Sequence, residues 1–98
     1  MRDLHAEMSR LYGRRLKGLF LYGSHARGDA CTDSDLDVLV VLDRITHYPS
    51  EIDLTSSAVS DLSLRYNTSI SRVFVTLFEW ERTATPFLVN ARSEAVPA

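Results

Sequence analysis

Leu19-Phe20-Leu21-Tyr22-Gly23-Ser24 and, after ten further residues, Asp35-Leu36-Asp37-Val38-Leu39-Val40-Val41-Leu42 are the stretches that decide the fold. The first is short, apolar and aromatic, bounded by Gly18 and Gly23, the form of a buried strand that ends in a Gly-Ser turn. The second, read as a strand over Asp35–Asp43, is an unbroken aliphatic and β-branched block. A strand with one face in water alternates apolar and polar residues, so a block without alternation predicts a strand covered on both faces, at the centre of a sheet.

Outward from this pair, Leu4, Met8, Leu11 and Tyr12 recur at helical spacing and Gly13 follows as a stop, which predicts an amphipathic first helix. Ser24 to Cys31 has room for two helical turns, with Ser24 as cap. After Tyr48-Pro49-Ser50 a helix is expected with Ser50 as cap and Glu51 and Asp53 in its first turn. Ile52, Val59, Leu62 and Tyr66 share its buried side and Asn67 ends it. Ser69–Leu77 reads as a third strand, Glu79-Trp80-Glu81-Arg82 as a polar exit from it, and Pro86 as the start of a last short helix that packs through Phe87, Leu88 and Ala91. Alternating signals of this kind predict an α/β (α+β) fold, a small mixed β-sheet with helices packed on it, and a length of 98 residues makes residues 1–98 one domain.

Composition narrows the function classes. With 45% hydrophobic and 24% charged residues the chain has the means to bury a core, which excludes a disordered or disulfide-framed class. The longest purely apolar run, Val38–Leu42, is far short of the ~20 residues that cross a bilayer. The N-terminus lacks the apolar centre of a signal peptide, so a cytoplasmic protein with no membrane association is expected. Cys31 is the sole cysteine and is read as a spectator. A net charge of -2 predicts no bulk nucleic-acid binding, because that affinity comes from clustered cations, and Arg14-Arg15-Lys17 reads as a solvated helix end. A short three-strand sheet would leave an edge or an apolar face for a second copy or another subunit.

Gly23 and Ser24 close one strand while Asp35 and Asp37 open the next, so the two pairs meet at one end of neighbouring strands. Residues two apart in a strand share a face, which sets the Asp35 and Asp37 carboxylates side by side. Such a pair is costly unless a cation lies between its members, and magnesium, which takes one or two carboxylates and completes its shell with water and phosphate oxygens, is the fitting ion. Gly23 allows a phosphate close to the backbone, the Ser24 hydroxyl can bond it, and Arg27 adds a cation. Taken singly, a Gly-Ser turn and a solvated Asp-x-Asp are commonplace. A calcium loop on Asp33, Asp35 and Asp37 is excluded, since Val38 and Arg44 stand where that motif needs Gly and Glu. His5, His25 and His47 lack metal-ligand spacing, and only His25 lies near the site; Trp80 and Tyr66 read as packing or interface residues.

Leu21-Tyr22-Gly23-Ser24-His25-Ala26-Arg27-Gly28-Asp29, followed by Asp33-Ser34-Asp35-Leu36-Asp37-Val38-Leu39-Val40-Val41, resembles the signature of the minimal nucleotidyltransferases of the DNA polymerase beta superfamily. The resemblance implies a polymerase beta-like palm. It further implies that Gly23, Ser24 and Arg27 hold the phosphates of a nucleoside triphosphate, most simply ATP. Asp35 and Asp37 would be the catalytic residues, binding two Mg2+ ions. The implied reaction moves a nucleoside monophosphate to a hydroxyl of a macromolecule, with a separate helical HEPN-type protein as partner in toxin–antitoxin fashion. The family usually carries a third carboxylate on the next strand. Here that strand is Ser69-Ile70-Ser71-Arg72-Val73-Phe74-Val75-Thr76, with Ser71 or Arg72 about where the acid belongs. The departure sets beside the enzyme a second reading, a catalytically degenerate nucleotide-binding or antitoxin subunit that acts by direct contact.

Overall fold

The computed structural model describes residues 2–22 and 36–98. Helix α1 (Arg2–Tyr12) leads through a 3-10 turn (Gly13–Arg15) into β1 (Leu16–Tyr22); then come β2 (Leu36–Leu42), helix α2 (Tyr48–Tyr66) and β3 (Ile70–Thr76). Helices α3 (Leu77–Arg82) and α4 (Pro86–Glu94) and a two-residue β4 (Val96–Pro97) follow. The expected helix over Ser24–Cys31 lies outside the described residues.

The strands form a mixed sheet in the order β3-β2-β1-β4. β2 pairs antiparallel with β1 and parallel with β3, and a parallel neighbour demands a crossover, which α2 supplies. The unbroken apolar block of β2 has the cause its pattern predicts. Leu36, Val38, Val40 and Leu42 meet Leu4, Met8 and Tyr12 of α1 and Val59 and Leu62 of α2. Leu39 and Val41 point the other way, into Val75, Leu88, Phe20 and Trp80. Trp80 is a packing residue: its ring stacks on Phe20 with centroids 4.8 Å apart.

Stops and starts follow local chemistry. Gly13 takes φ +55 and Asn67 φ 52, the left-handed conformation that ends a helix. α2 begins two residues before the expected cap, at Tyr48 with His47 preceding it, because Pro49 fits the first helical turn and fixes its φ there. Ser50 is thereby inside the helix, where its hydroxyl meets His47 Nδ1 at 2.7 Å. Glu79–Arg82 is a helix rather than a polar exit. Thr76 accepts from the Glu79 N–H at 3.1 Å while the Glu79 carboxylate accepts from the Thr76 N–H at 3.0 Å, a reciprocal cap that turns the chain as soon as β3 ends. Thr76→Ala should cost about 1 kcal/mol in chemical denaturation, with a matching loss of order in α3.

Two ties fasten α2. Arg72 sends its side chain to the α2 face of the sheet, where Nε donates to Thr55 Oγ1 at 2.7 Å and a terminal nitrogen donates to the Ile52 carbonyl at 3.0 Å. Glu51, in the first turn of α2 as expected, is 5% exposed and holds Arg15 at 2.6 Å. The Arg14-Arg15-Lys17 stretch is therefore not wholly solvated. Tyr66 lies at the exposed end of α2, its hydroxyl bonded to Asp3 of α1. Each outer margin of the sheet has part of its ladder taken up. Tyr48 Oη accepts the outward Phe74 N–H of β3 at 3.0 Å, and β4, at the other margin, has two residues, one of them Pro97. Among the described residues no helix is long and apolar enough to cross a membrane.

Beside these ties the Tyr12 hydroxyl is buried without a hydrogen-bond partner among the described residues. Burial first, and then the Glu51 carboxylate, hold it well above the ordinary tyrosine range. The hydroxyl faces the Glu51 carboxylate without closing to hydrogen-bond distance, so its desolvation cost and that attraction offset one another and Tyr12→Phe should change stability by no more than about 1 kcal/mol at pH 7. A raised folded pKa contributes stability that is complete below the unfolded value of about 10 and declines above it, where the unfolded chain ionises first. Denaturation midpoints should accordingly fall above pH 10, and fall less in Tyr12→Phe.

Candidate functional site

Tyr22, Asp37 and Ser71 stand in one row across three strands: Tyr22 is the β1 partner of Asp37 and Ser71 its β3 partner. Asp37 is one residue out of phase with the buried Val38, so it shares the sheet face of Leu39 and Val41, away from α1 and α2. It is half-buried at the head of the central strand. Tyr22 registers its charge: burial first, and then the Asp37 carboxylate, raise the Tyr22 hydroxyl above its ordinary range.

The register decides which of Ser71 and Arg72 shares the face of Asp37. Ser71 faces the same way as Asp37, whereas Arg72 is turned to the opposite face and engaged with Thr55, Ile52 and Ser56 of α2. β3 therefore brings a hydroxyl, not an acid, to this row. Asp37 and Ser71 are hard oxygen donors of the kind magnesium takes, and in that respect the row suits the ion. Among the described residues no group of three His, Cys, Asp or Glu side chains is placed to hold a metal. Gly23, Ser24, Arg27 and Asp35, with His25, lie outside the described residues.

A residue the sequence reading passed over joins this face. Glu94, at the end of α4, lines a cavity of about 300 Å³ together with Tyr22, Phe87, Asn90 and Ala91. Its only sequence signal is its spacing of four from Asn90 and seven from Phe87 on one helix. A second cavity, of about 550 Å³, opens at the far end of β2 around Asp43, Arg44 and His47. It is remote from Asp37 by the length of the strand, and its Arg15 is already engaged by Glu51 and by Asp43 at 3.6 Å.

The described geometry is that of a known fold. A toxin–antitoxin complex crystallised with AMP-PNP superposes with a TM-score of 0.69 at 14% identity, over 99% of this chain and 72% of that one. A candidate minimal nucleotidyltransferase superposes at 0.62 with 24% identity, over 99% and 87% of the two chains. At such identities the likeness is one of fold. In sequence, a Methanocaldococcus jannaschii protein described as a candidate protein adenylyltransferase is 34% identical over 62 residues, 63% of this chain and 56% of that protein. The chain thus spans little more than half the length of that curated relative. Residues 1–82, from α1 to the end of α3, match the nucleotidyltransferase domain model, and the row of Asp37 at the head of its central strand lies within them: the chain belongs to the nucleotidyltransferase domain family.

Proposed function

We propose that this protein transfers AMP from ATP to a hydroxyl on a macromolecular acceptor, working beside a separate helical subunit of the HEPN type. The observation that carries the reading is the placing of Asp37 at the head of β2, directly across from Tyr22, the residue that precedes Gly23-Ser24. That register brings a carboxylate to the point where a chain able to cradle phosphates leaves the sheet.

In the proposed reaction the acceptor oxygen attacks the α-phosphorus of ATP. The new O–P bond forms as the bond from that phosphorus to the bridging oxygen of the β-phosphate breaks; pyrophosphate leaves and the hydroxyl proton passes to solvent. Gly23, Ser24 and Arg27 hold the triphosphate, and Asp35 and Asp37 would hold Mg2+, through which the α-phosphate would be oriented. When bound, two such ions would neutralise the charge that develops on the attacking and leaving oxygens. Ser71 contributes a neutral hydroxyl beside Asp37, able to hydrogen-bond the acceptor but not to take its proton at pH 7.

Ser71 also favours a second reading, a nucleotide-binding or antitoxin subunit without turnover, because the β3 position in the row lacks the acid that would serve as base. The two part on one experiment: ATP labelled at the α-phosphate, Mg2+ and extract of the native cell, with the protein or with its Asp35→Asn, Asp37→Asn form. Label that appears on a protein or RNA band only with the unaltered protein supports transfer. No label with either folded protein leaves the binding reading standing.

A further inference from the structure

Ser50 and His47 make a contact that the capping of α2 does not explain. His47 stands at the N-cap position, where a side chain ordinarily accepts from a backbone N–H of the first turn, yet it makes no such bond. Its Nδ1 lies instead 2.7 Å from the Ser50 hydroxyl. Both residues are exposed, and with Asp43, Arg44 and Thr46 they line the cavity of about 550 Å³ at the far end of β2. A serine hydroxyl is a weak nucleophile until an adjacent base takes its proton, and a neutral imidazole offers one ring nitrogen for that purpose. Ser50 therefore combines access from solvent with a base at hydrogen-bond distance. The acids of the cavity, Glu51 and Asp43, are engaged with Arg15, and Arg44 brings a second guanidinium to it, a group that suits an incoming phosphate.

This hydroxyl complements the row at the other end of the sheet. Ser71, the β3 partner of Asp37, cannot take an acceptor's proton at pH 7, so an acceptor that brings its own base suits that row. Ser50 cannot reach the row of its own chain. From Asp37 to Leu42 the extended strand covers roughly 17 Å, and the cavity of Ser50 opens beyond that end. We propose that Ser50 of one copy, with His47 as its base, is an acceptor hydroxyl for nucleotidyl transfer by a second copy of this chain; the inference rests on the transfer reading. The Ser50 Oγ forms a bond to the α-phosphorus of the ATP held by the second copy. The bond from that phosphorus to the bridging oxygen of the β-phosphate breaks, pyrophosphate leaves, and the hydroxyl proton passes to His47 Nδ1. The AMP phosphate then lies in the cavity that Arg44 lines.

The test is incubation of the purified full chain with Mg2+ and ATP labelled at the α-phosphate, without extract, with thermal melts to establish that every variant folds. The chain itself should take label, mass spectrometry should place AMP on Ser50, and Ser50→Ala should lose it. His47→Ala should slow the labelling on the order of 100-fold, and added imidazole should restore part of the rate, which a merely structural role of His47 would not allow. Mixed with the unaltered chain, an Asp35→Asn, Asp37→Asn form made longer by a tag should take label on Ser50, as transfer between copies requires. Label that persists on Ser50→Ala, equal labelling of His47→Ala, or label that never reaches the double variant overturns the proposal. If the purified chain takes no label while an acceptor in the native extract does, the proposal falls and the transfer reading stands. If neither takes label, the transfer reading falls and the proposal with it.

Discussion

Asp37→Asn should reduce label transfer from ATP on the order of 1,000-fold while leaving the melting temperature within a few degrees of the unaltered protein's. Both parts follow from the position of one side chain. Asp37 is half-buried, on the sheet face away from α1 and α2, and the apolar contacts of β2 are made by the residues around it. The substitution keeps volume and hydrogen-bonding shape, so the core is untouched. It removes one negative charge from the row and leaves the apolar contacts of β2 in place. Several kcal/mol of transition-state stabilisation depend on a metal-holding carboxylate, and each 1.36 kcal/mol is a factor of ten in rate. Transfer that persists within tenfold of the unaltered protein would remove Asp37 from the chemistry. A fall in melting temperature of more than a few degrees would assign it to the structure instead.

The opposite partition is expected of Leu39→Ala. Leu39 is fully buried two residues along from Asp37, on the same face, opposite Phe20 on β1 and Val73 on β3. Truncating a buried leucine costs about 2–5 kcal/mol, against a total of about 5–15 kcal/mol for a small domain. For a chain of this length each kcal/mol lowers the melting temperature by about 4–8 °C, so a drop of about 10–30 °C is expected by calorimetry. The fraction that remains folded should still bind ATP. As a control, Leu64→Ala at an 81% exposed position on α2 should stay within about 0.5 kcal/mol.

What the sequence discloses is what periodicity carries. The unbroken block of β2 placed that strand at the centre with both faces covered, and the spacing of Leu4, Met8 and Tyr12 placed one stripe of α1 on the core. Gly13 and Asn67 announced their ends because few residues adopt positive φ cheaply. α3 is harder to see: six residues make fewer than two turns, too few for a stripe, and the legible signal was the Thr76-to-Glu79 cap rather than the polarity of Glu79-Trp80-Glu81-Arg82. Arg15 misleads because its partner Glu51 is remote in sequence, and a long-range ion pair leaves no local trace. β4 has two residues and no period at all.

The candidate site divides in the same way. Asp37 was legible because a strand fixes direction by parity, and parity with register then separated Ser71 from Arg72. Gly23, Ser24, Arg27 and Asp35 lie outside the described residues. Glu94 and Asn90 went unseen because nothing in the sequence near Pro86 tells which strand end α4 will cover. Their meeting with Tyr22 is a product of the sheet's order, in which β1 lies beside β2 and the chain returns through α4 to β4.

The hydroxyl of Tyr48 on the outer rim of β3 has a bearing on behaviour at high concentration. Unsatisfied ladder groups at a sheet margin are templates on which like chains stack into fibrils. Here one such N–H, that of Phe74, is already taken by a side chain, and at the other margin Phe20 and Leu21 of β1 are covered by a two-residue strand containing a proline. Tyr48→Phe would free that N–H without altering the sheet face that carries Asp37, and on prolonged storage it should form thioflavin-positive aggregates sooner than the unaltered protein.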